Sequence, residues 1–189
     1  MRKSRQEAAQ TRQRIVESAS VEFRRRGIAG TGLADLMAAA GMTHGGFYKH
    51  FESKEQVVEE SVALATETML ASMQASLSAA PGSRGLRTVM ADYLSTAYRD
   101  DSSEGCPFVT LGSEMARSSE AVREAATAGF LQIVDMLAGQ FEDLSPAAAR
   151  KEAMLMFSTM IGAMTMARVV TDPRLSATLL QQARKHLAP

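Results

Sequence analysis

The sequence has few residues that cross-link a chain or break a helix, with 1 cysteine and 5 prolines in 189 residues, and it has no tryptophan. One cysteine cannot form an intramolecular disulfide, and no Cys/His cluster has metal-ligand spacing. The least polar window, 153–167, has 15 residues, whereas a membrane span needs about 20. The polar N-terminus lacks the apolar core of a signal peptide. We therefore expect a cytoplasmic protein with no membrane segment and no metal.

Signatures of catalysis are also missing. The sequence contains no GxSxG, HExxH, P-loop or GxGxxG motif. Ser113, in the segment LGSEM, has no nucleophile signature around it. We expect neither an enzyme nor a cofactor.

Strand patterns are missing as well, since no run of alternating Val, Ile and Thr occurs. Strong helix formers fill the intervals between the sparse prolines and glycines, which predicts an all-α fold of about nine helices. Boundary signals include Gly27, Pro81-Gly82-Ser83, Asp100-Asp101-Ser102-Ser103 and the Ser145-Pro146 and Asp172-Pro173 pairs. The predicted helices cover about 5–26, 33–40, 43–51, 53–78, 84–99, 107–117, 119–141, 145–170 and the residues after 172.

The formal net charge is zero, but the charged residues are unevenly distributed along the chain. Residues 1–54 contain 10 Lys and Arg against 5 Asp and Glu, and residues 55–189 contain 11 against 16. A basic segment in a neutral chain favours contact between the N-terminal part and a polyanion.

The segment THGGFYKHF, residues 43–51, lies in this basic part. Phe47 and Phe51 are four residues apart and are predicted to face inward. Thr43 is predicted to cap the helix, and Ser53 to Gln56 read as a capping box that opens the next one. Together with the helix that begins near Leu33, the pattern predicts a helix-turn-helix.

Polar groups and glycines point to what the segment binds. Gly45 and Gly46 each cost about 1 kcal/mol of helix propensity relative to alanine, but they let a backbone approach DNA closely. Hydroxyl, imidazole and ammonium groups suited to phosphates or base edges lie beside them. The predicted DNA-binding residues are Thr43, His44, Gly45, Tyr48, Lys49, His50 and Lys54.

The stretches RIVESASVEFRRRG and LADLMAAAGMTHGGFYKHFESKEQVV make the chain similar to the tetracycline-repressor (TetR) family over about residues 11–58. The resemblance implies a buried Phe47 and Phe51, with Thr43, His44, Gly45, Tyr48, His50 and Lys54 facing DNA. It also implies a homodimer through the last two helices. The expected domains are a DNA-binding unit, 1–55, and a helical regulatory and dimerisation unit, 56–189.

We therefore expect a repressor that binds a pseudo-palindromic DNA operator and is released by a small molecule. The alternative is a module that coats DNA without sequence preference or that binds proteins, and has no inducer. The methionine-rich helix at 145–170 is interpreted as core, since methionine fills irregular gaps. An apolar or aromatic effector is expected between the helices of the second domain, and the candidate lining is Tyr93, Cys106, Phe108, Met115, Phe130 and Met160.

Cys106 has two interpretations. A thiol at a helix start can have a lowered pKa and react with electrophiles or oxidants. However, Asp100, Asp101 and Glu104 are near in sequence and would raise its pKa, and a lone cysteine is commonly a small buried apolar residue. Packing is the favoured interpretation, and sensing is the alternative.

Overall fold

The computed structural model describes residues 5–80, 82–101 and 105–188. Every regular element in these ranges is a helix, which confirms the all-α prediction. Pro81, Ser102, Ser103 and Glu104, which carried predicted boundaries or charges, lie outside the described residues. The helices are α1 (Arg5–Arg26), α2 (Leu33–Ala39), the 3₁₀ helix η1 (His44–Lys49), α3 (Lys54–Ala79), α4 (Ser83–Tyr93), α5 (Thr96–Asp100), α6 (Pro107–Thr110), α7 (Gly112–Met115), α8 (Glu120–Ala138), α9 (Pro146–Val169) and α10 (Pro173–Leu187).

Two predicted helices are each divided in the structure. The helix expected at 84–99 ends at Tyr93, and Ser95 caps a new helix by accepting a hydrogen bond from the backbone N–H of Tyr98 at 3.1 Å. The helix expected at 107–117 is interrupted at Leu111, where φ is −118° and ψ is 0°. These breaks raise the number of helices in the described ranges above nine. At Ser95 the reason is the local cap, which competes with continuation of the helix.

The N-terminal core forms where α1, α2, η1 and the first turns of α3 meet. Ile15, Ala19 and Phe23 of α1 are fully buried, as their spacing predicts. Side chains from later in the chain complete this core, namely Leu111, Met115 and Val122. The division at residue 55 stays a prediction, and this core extends beyond it.

The C-terminal core lies between α3, α4, α8, α9 and α10. Met156, Met160 and Met164 are buried there, which confirms the core interpretation for these three, whereas Met154 and Met166 are 37% and 48% exposed and lie outside the core. Phe157 anchors the aromatic part, with its ring centroid 5.5 Å from that of Phe130. Across the described ranges, no helix is long and apolar enough to cross a bilayer.

Candidate functional site

A tight turn joins α2 to η1. Gly41 has φ of +70°, a left-handed conformation that favours glycine, and the N–H of Met42 donates to the carbonyl of Met37 at 2.7 Å. Thr43 occupies the predicted N-cap position, but its side chain makes no capping hydrogen bond. The predicted second helix of the helix-turn-helix is thus present, as a 3₁₀ helix of 6 residues.

The inner face of η1 is apolar. Phe47 is fully buried and Phe51 is 2% exposed, as predicted. Their ring centroids are 5.6 Å apart in a stacked arrangement. Burial of two phenylalanines stabilises the element by several kcal/mol, so a short 3₁₀ helix is held in a fixed orientation.

The outer face of η1 is polar and exposed. Tyr48 is 69% exposed, and its ring packs edge-on against Phe47 with a centroid distance of 5.2 Å. We call the unit formed by α1, α2 and η1 the reading head. Its other exposed residues in and next to η1 are Thr43, His44, Gly45 and Lys49. We call these five residues the reading face.

Backbone geometry does not require glycine at 45 or 46. Positive φ angles among the described residues occur at Gly27, Gly41 and Gly82 only. A Cβ at position 45 would have no atom within 4 Å, whereas one at 46 would contact the Met37 side chain at 3.6 Å. Gly45 therefore leaves open space on the outside of the protein.

Lys54 and His50 are less exposed than the reading face. The Lys54 ammonium donates to the carbonyl of Ile28 at 2.5 Å and lies 5.8 Å from the Phe23 ring centroid. The backbone carbonyl of His50 accepts a hydrogen bond from Arg12 Nε at 3.2 Å. Both residues contribute to the fold of the head, and their contacts with DNA stay predictions.

The predicted capping box opens α3 with one difference. Ser53 Oγ accepts from the backbone N–H of Gln56 at 3.2 Å, as expected. The side-chain oxygen of Gln56 accepts from the N–H of Glu52 at 3.0 Å instead of from Ser53. Arg12 of α1 forms a bidentate ion pair with Glu60 of α3, which holds the two helices together.

A cavity of about 230 Å³ opens between α3, α4 and α5. Met69, Met73 and Tyr93 form buried parts of its wall. Arg24, from the last turn of α1, also lines it. Side chains of α1 therefore meet those of α3, α4 and α5 in one cavity wall.

The six residues predicted to line an effector site are not gathered in one place. Tyr93 lines the cavity beside α3. Phe108, Met115 and Phe130 line a separate open groove of about 360 Å³ along α7 and α8. Cys106 and Met160 are fully buried and line neither space.

Cys106 lies among buried polar groups. Burial raises the pKa of its thiol, and the pKa of the neighbouring Tyr93 hydroxyl is raised well above its usual value, also by burial. The Tyr93 hydroxyl makes no hydrogen bond of normal geometry within the described part of the chain, but it interacts weakly with the Cys106 thiol, and this contact raises the pKa of Tyr93 and lowers that of Cys106. These features favour packing over a reactive thiolate, because the expected lowering of pKa at the start of α6 is outweighed by desolvation.

Sequence reasoning missed most of the cavity wall. Arg24 lies in the basic last turn of α1, a pattern typical of a solvated helix end, but its side chain is half-buried. Its Nε donates to the Ser20 carbonyl at 2.9 Å and its Nη1 to the Gly105 carbonyl at 3.4 Å. Met69 and Met73 belong to a regular apolar stripe on α3, so nothing in the sequence distinguishes them from core.

Comparisons with known proteins agree with this arrangement. Residues 15–61 match the family described as "Bacterial regulatory proteins, tetR family", and residues 81–186 match "Transcriptional regulator LmrA/YxaF-like, C-terminal domain". The HTH-type transcriptional regulator TtgR of Pseudomonas putida is 42% identical over 59 residues, or 31% of this chain and 28% of TtgR. The HTH-type transcriptional repressor DhaR of a Mycobacterium species is 31% identical over 116 residues, or 59% of this chain and 56% of DhaR.

The chain therefore matches less than two thirds of the length of either relative. A solved structure covers far more of it. The crystal structure of a TetR transcriptional regulator from Chloroflexus aurantiacus is 26% identical and has a TM-score of 0.79, covering 97% of this chain and 94% of that one. From the matched family descriptions, the helix-turn-helix and the all-helical architecture, the chain belongs to the TetR family of bacterial transcriptional regulators.

Proposed function

We propose that this regulator is a repressor that binds a pseudo-palindromic operator as a homodimer and is released by a small molecule. The observation that carries the DNA-binding part is the reading face, a set of polar side chains around an open glycine on a rigid phenylalanine-backed helix. Residues 1–55 act as the DNA-binding domain and residues 56–189 as the regulatory and dimerisation domain. The repressor assignment is supported by the name of the relative DhaR.

Dimerisation is supported by apolar surface on α9. Leu155, Met166 and Val169 are 60%, 48% and 64% exposed, respectively. A Cβ at Gly162, on the same helix, would meet no atom within 4 Å. Exposed large apolar side chains beside a small residue favour close approach of a second helix. The dimer proposed here pairs α9 and α10 with their copies.

A dimer has a physical advantage in operator recognition. One reading head contacts few base pairs, and two-fold symmetry presents the same reading face to two half-sites. The half-sites are expected about one helical turn apart or slightly more.

Release requires a ligand that prefers the form unable to bind DNA. The cavity between α3, α4 and α5 supports this part of the proposal, since its wall combines effector-domain side chains with Arg24 of the reading head. A small molecule that fits there has direct access to both parts.

Selection of binding sites from random duplex DNA, followed by footprinting, tests the function. The expected result is one palindromic sequence, protected in two half-sites, with an affinity that falls as salt rises. The alternative module predicts uniform protection without sequence preference. Uniform protection, or a single half-site bound by a monomer, would contradict the proposed repressor.

A further inference from the structure

The cavity is small for a ligand site. Its volume of about 230 Å³ lies below the about 300–1,000 Å³ of typical small-molecule pockets. Its deep wall contains the thioethers of Met69 and Met73 and the ring of Tyr93. Tyr98 adds a second ring, with a centroid 4.9 Å from that of Tyr93. These dimensions suit a molecule with one aromatic ring.

The charged side chains in the described part of the wall are Arg24, Asp92 and Asp101. Arg168 does not line the cavity but acts electrostatically on Tyr93 and Tyr98. Tyrosine rings present a negative π face to a cation, and Asp92 is the carboxylate of the wall that does not share this end with Arg168. A positive ligand group is therefore best placed at Asp92.

The hydrogen-bonding capacity of the charged side chains in the wall also favours a cationic ligand. Arg24 already donates to the carbonyls of Ser20 and Gly105. Asp92 is solvent-exposed, and its carboxylate accepts a single long bond, 3.4 Å from Ser76 Oγ, within the described residues. Because an ionised carboxylate accepts about four hydrogen bonds, Asp92 has capacity left for a donor such as an ammonium group.

We propose that this cavity takes a small aromatic ammonium ion, with its ring against the methionine and tyrosine side chains and its cationic group at Asp92. This deepens the proposed function and rests on it, since it names the chemical class of the effector. A neutral ring of the same shape gains the apolar contact but lacks the charge interaction.

Arg24 gives such a ligand a route to the reading head. A cation in the cavity repels the Arg24 guanidinium, which belongs to the last turn of α1. That repulsion weakens the contact between Arg24 and the Gly105 carbonyl, which joins α1 to the segment before α6. The ligand thus disfavours the observed position of α1, and this supplies the differential affinity that release of DNA requires.

Calorimetry on the full chain, with three probes of one shape, tests the ligand class. Benzylammonium is expected to bind about tenfold more tightly than benzyl alcohol, and benzoate more weakly than either. Asp92→Asn should remove the preference for benzylammonium over benzyl alcohol. Asp143→Asn is the matched control, because Asp143 is exposed like Asp92 but does not line the cavity. Equal or tighter binding of benzoate, no binding of benzylammonium, or an unchanged preference in Asp92→Asn would overturn the ligand class.

The route through Arg24 is tested with the operator obtained by selection. Benzylammonium should weaken operator binding of the parent by about tenfold at saturation. Arg24→Met keeps an apolar chain in the wall and should bind benzylammonium with much less effect on the operator. Equal benzylammonium affinity with and without operator would overturn the coupling. Failure to select any operator would instead contradict the proposed function, whatever the probes do.

Discussion

The carboxylate of Glu114 accepts a hydrogen bond from the backbone N–H of Ala29 at 2.8 Å, across 85 positions of sequence. Glu114 belongs to α7, and Ala29 belongs to the turn between α1 and α2. The same carboxylate lies beside Gly27, where an added Cβ would approach Oε2 to 2.8 Å. Leu111 and Met115, on either side of Glu114, are buried in the N-terminal core. Short helix α7 therefore anchors the reading head to the rest of the chain.

Replacement of Glu114 by alanine is expected to speed hydrogen exchange at the Ala29 amide. The free energy of unfolding should fall by about 0.5–1.5 kcal/mol, the net contribution of one hydrogen bond. Glu114→Gln keeps an acceptor oxygen and should restore most of the protection. Glu124→Ala, an exposed change on α8, is the control. If exchange at Ala29 is the same in Glu114→Ala and the parent, the anchor has no role.

Alanine at position 45 is expected to weaken operator binding without loss of stability. The added Cβ meets open space in the free protein, and alanine favours helix by up to about 1 kcal/mol. On DNA the same methyl group would occupy the gap between backbone and duplex. Gly46→Ala is the matched comparison, since its Cβ makes an ordinary contact with Met37 inside the protein. Operator affinity of Gly45→Ala equal to that of the parent would contradict the close approach.

Tyr48 and Lys54 are expected to respond differently to alanine. Tyr48→Ala should weaken operator binding and leave folding nearly unchanged, because the side chain is exposed. Lys54→Ala should weaken binding and also lower the free energy of unfolding by about 1 kcal/mol, since it loses the bond to the Ile28 carbonyl.

The salt dependence of operator affinity distinguishes two roles of Lys54. A phosphate contact predicts that Lys54→Ala makes the negative slope of log affinity against log salt shallower by about 1 per half-site. An unchanged slope would identify Lys54 as a residue that only supports the turn between α1 and α2.

Cys106 is expected to resist N-ethylmaleimide at neutral pH in the folded protein. Burial raises the pKa of its thiol, so the reactive thiolate is scarce. Mass spectrometry should show modification only after unfolding in guanidinium, and operator affinity should be unaffected by the treatment. Cys106→Ser is the control for side reactions. Rapid modification of the folded parent with loss of operator binding would support the sensing interpretation instead.

Removal of the Tyr93 hydroxyl is expected to be neutral or stabilising. The oxygen is buried with no hydrogen-bond partner of normal geometry in the described residues, and its contact with the Cys106 thiol is weak. Most of a desolvation cost of about 1–3 kcal/mol is therefore left uncompensated. The folded-state pKa of Tyr93 is raised. Ionisation of Tyr93 therefore costs more in the folded than in the unfolded state. The free energy of unfolding is unaffected below the ordinary tyrosine pKa of about 10 and falls as pH rises above it.

Urea unfolding tests both expectations about the Tyr93 hydroxyl. The free energy of unfolding is measured for the parent and for Tyr93→Phe, first at neutral pH and then at a pH above about 10. Phenylalanine should reduce the alkaline loss of stability, and the remaining loss should reflect Cys106 and Tyr98, whose pKa values are also raised by burial. A neutral-pH loss of several kcal/mol in Tyr93→Phe would show that the hydroxyl has a partner that stabilises the fold.

Local signals account for what the sequence predicted well. The span of α1 and the caps Gly27, Ser53 and Ser145 depend on neighbouring residues, so their pattern can be read along the chain. The inward position of Phe47 and Phe51 follows from their four-residue spacing. The family resemblance has the same origin, because it rests on one continuous segment.

Contacts between distant segments determined features that the sequence did not predict. The half-buried position of Arg24 and the bond from Ala29 to Glu114 each depend on where separate helices meet. By itself, the sequence determined the helical class and the polar face of the reading head, since both arise from short-range periodicity. Only the tertiary structure decided that Cys106 is buried and that Arg24 borders a cavity, because desolvation and enclosure require side chains brought together from all parts of the chain.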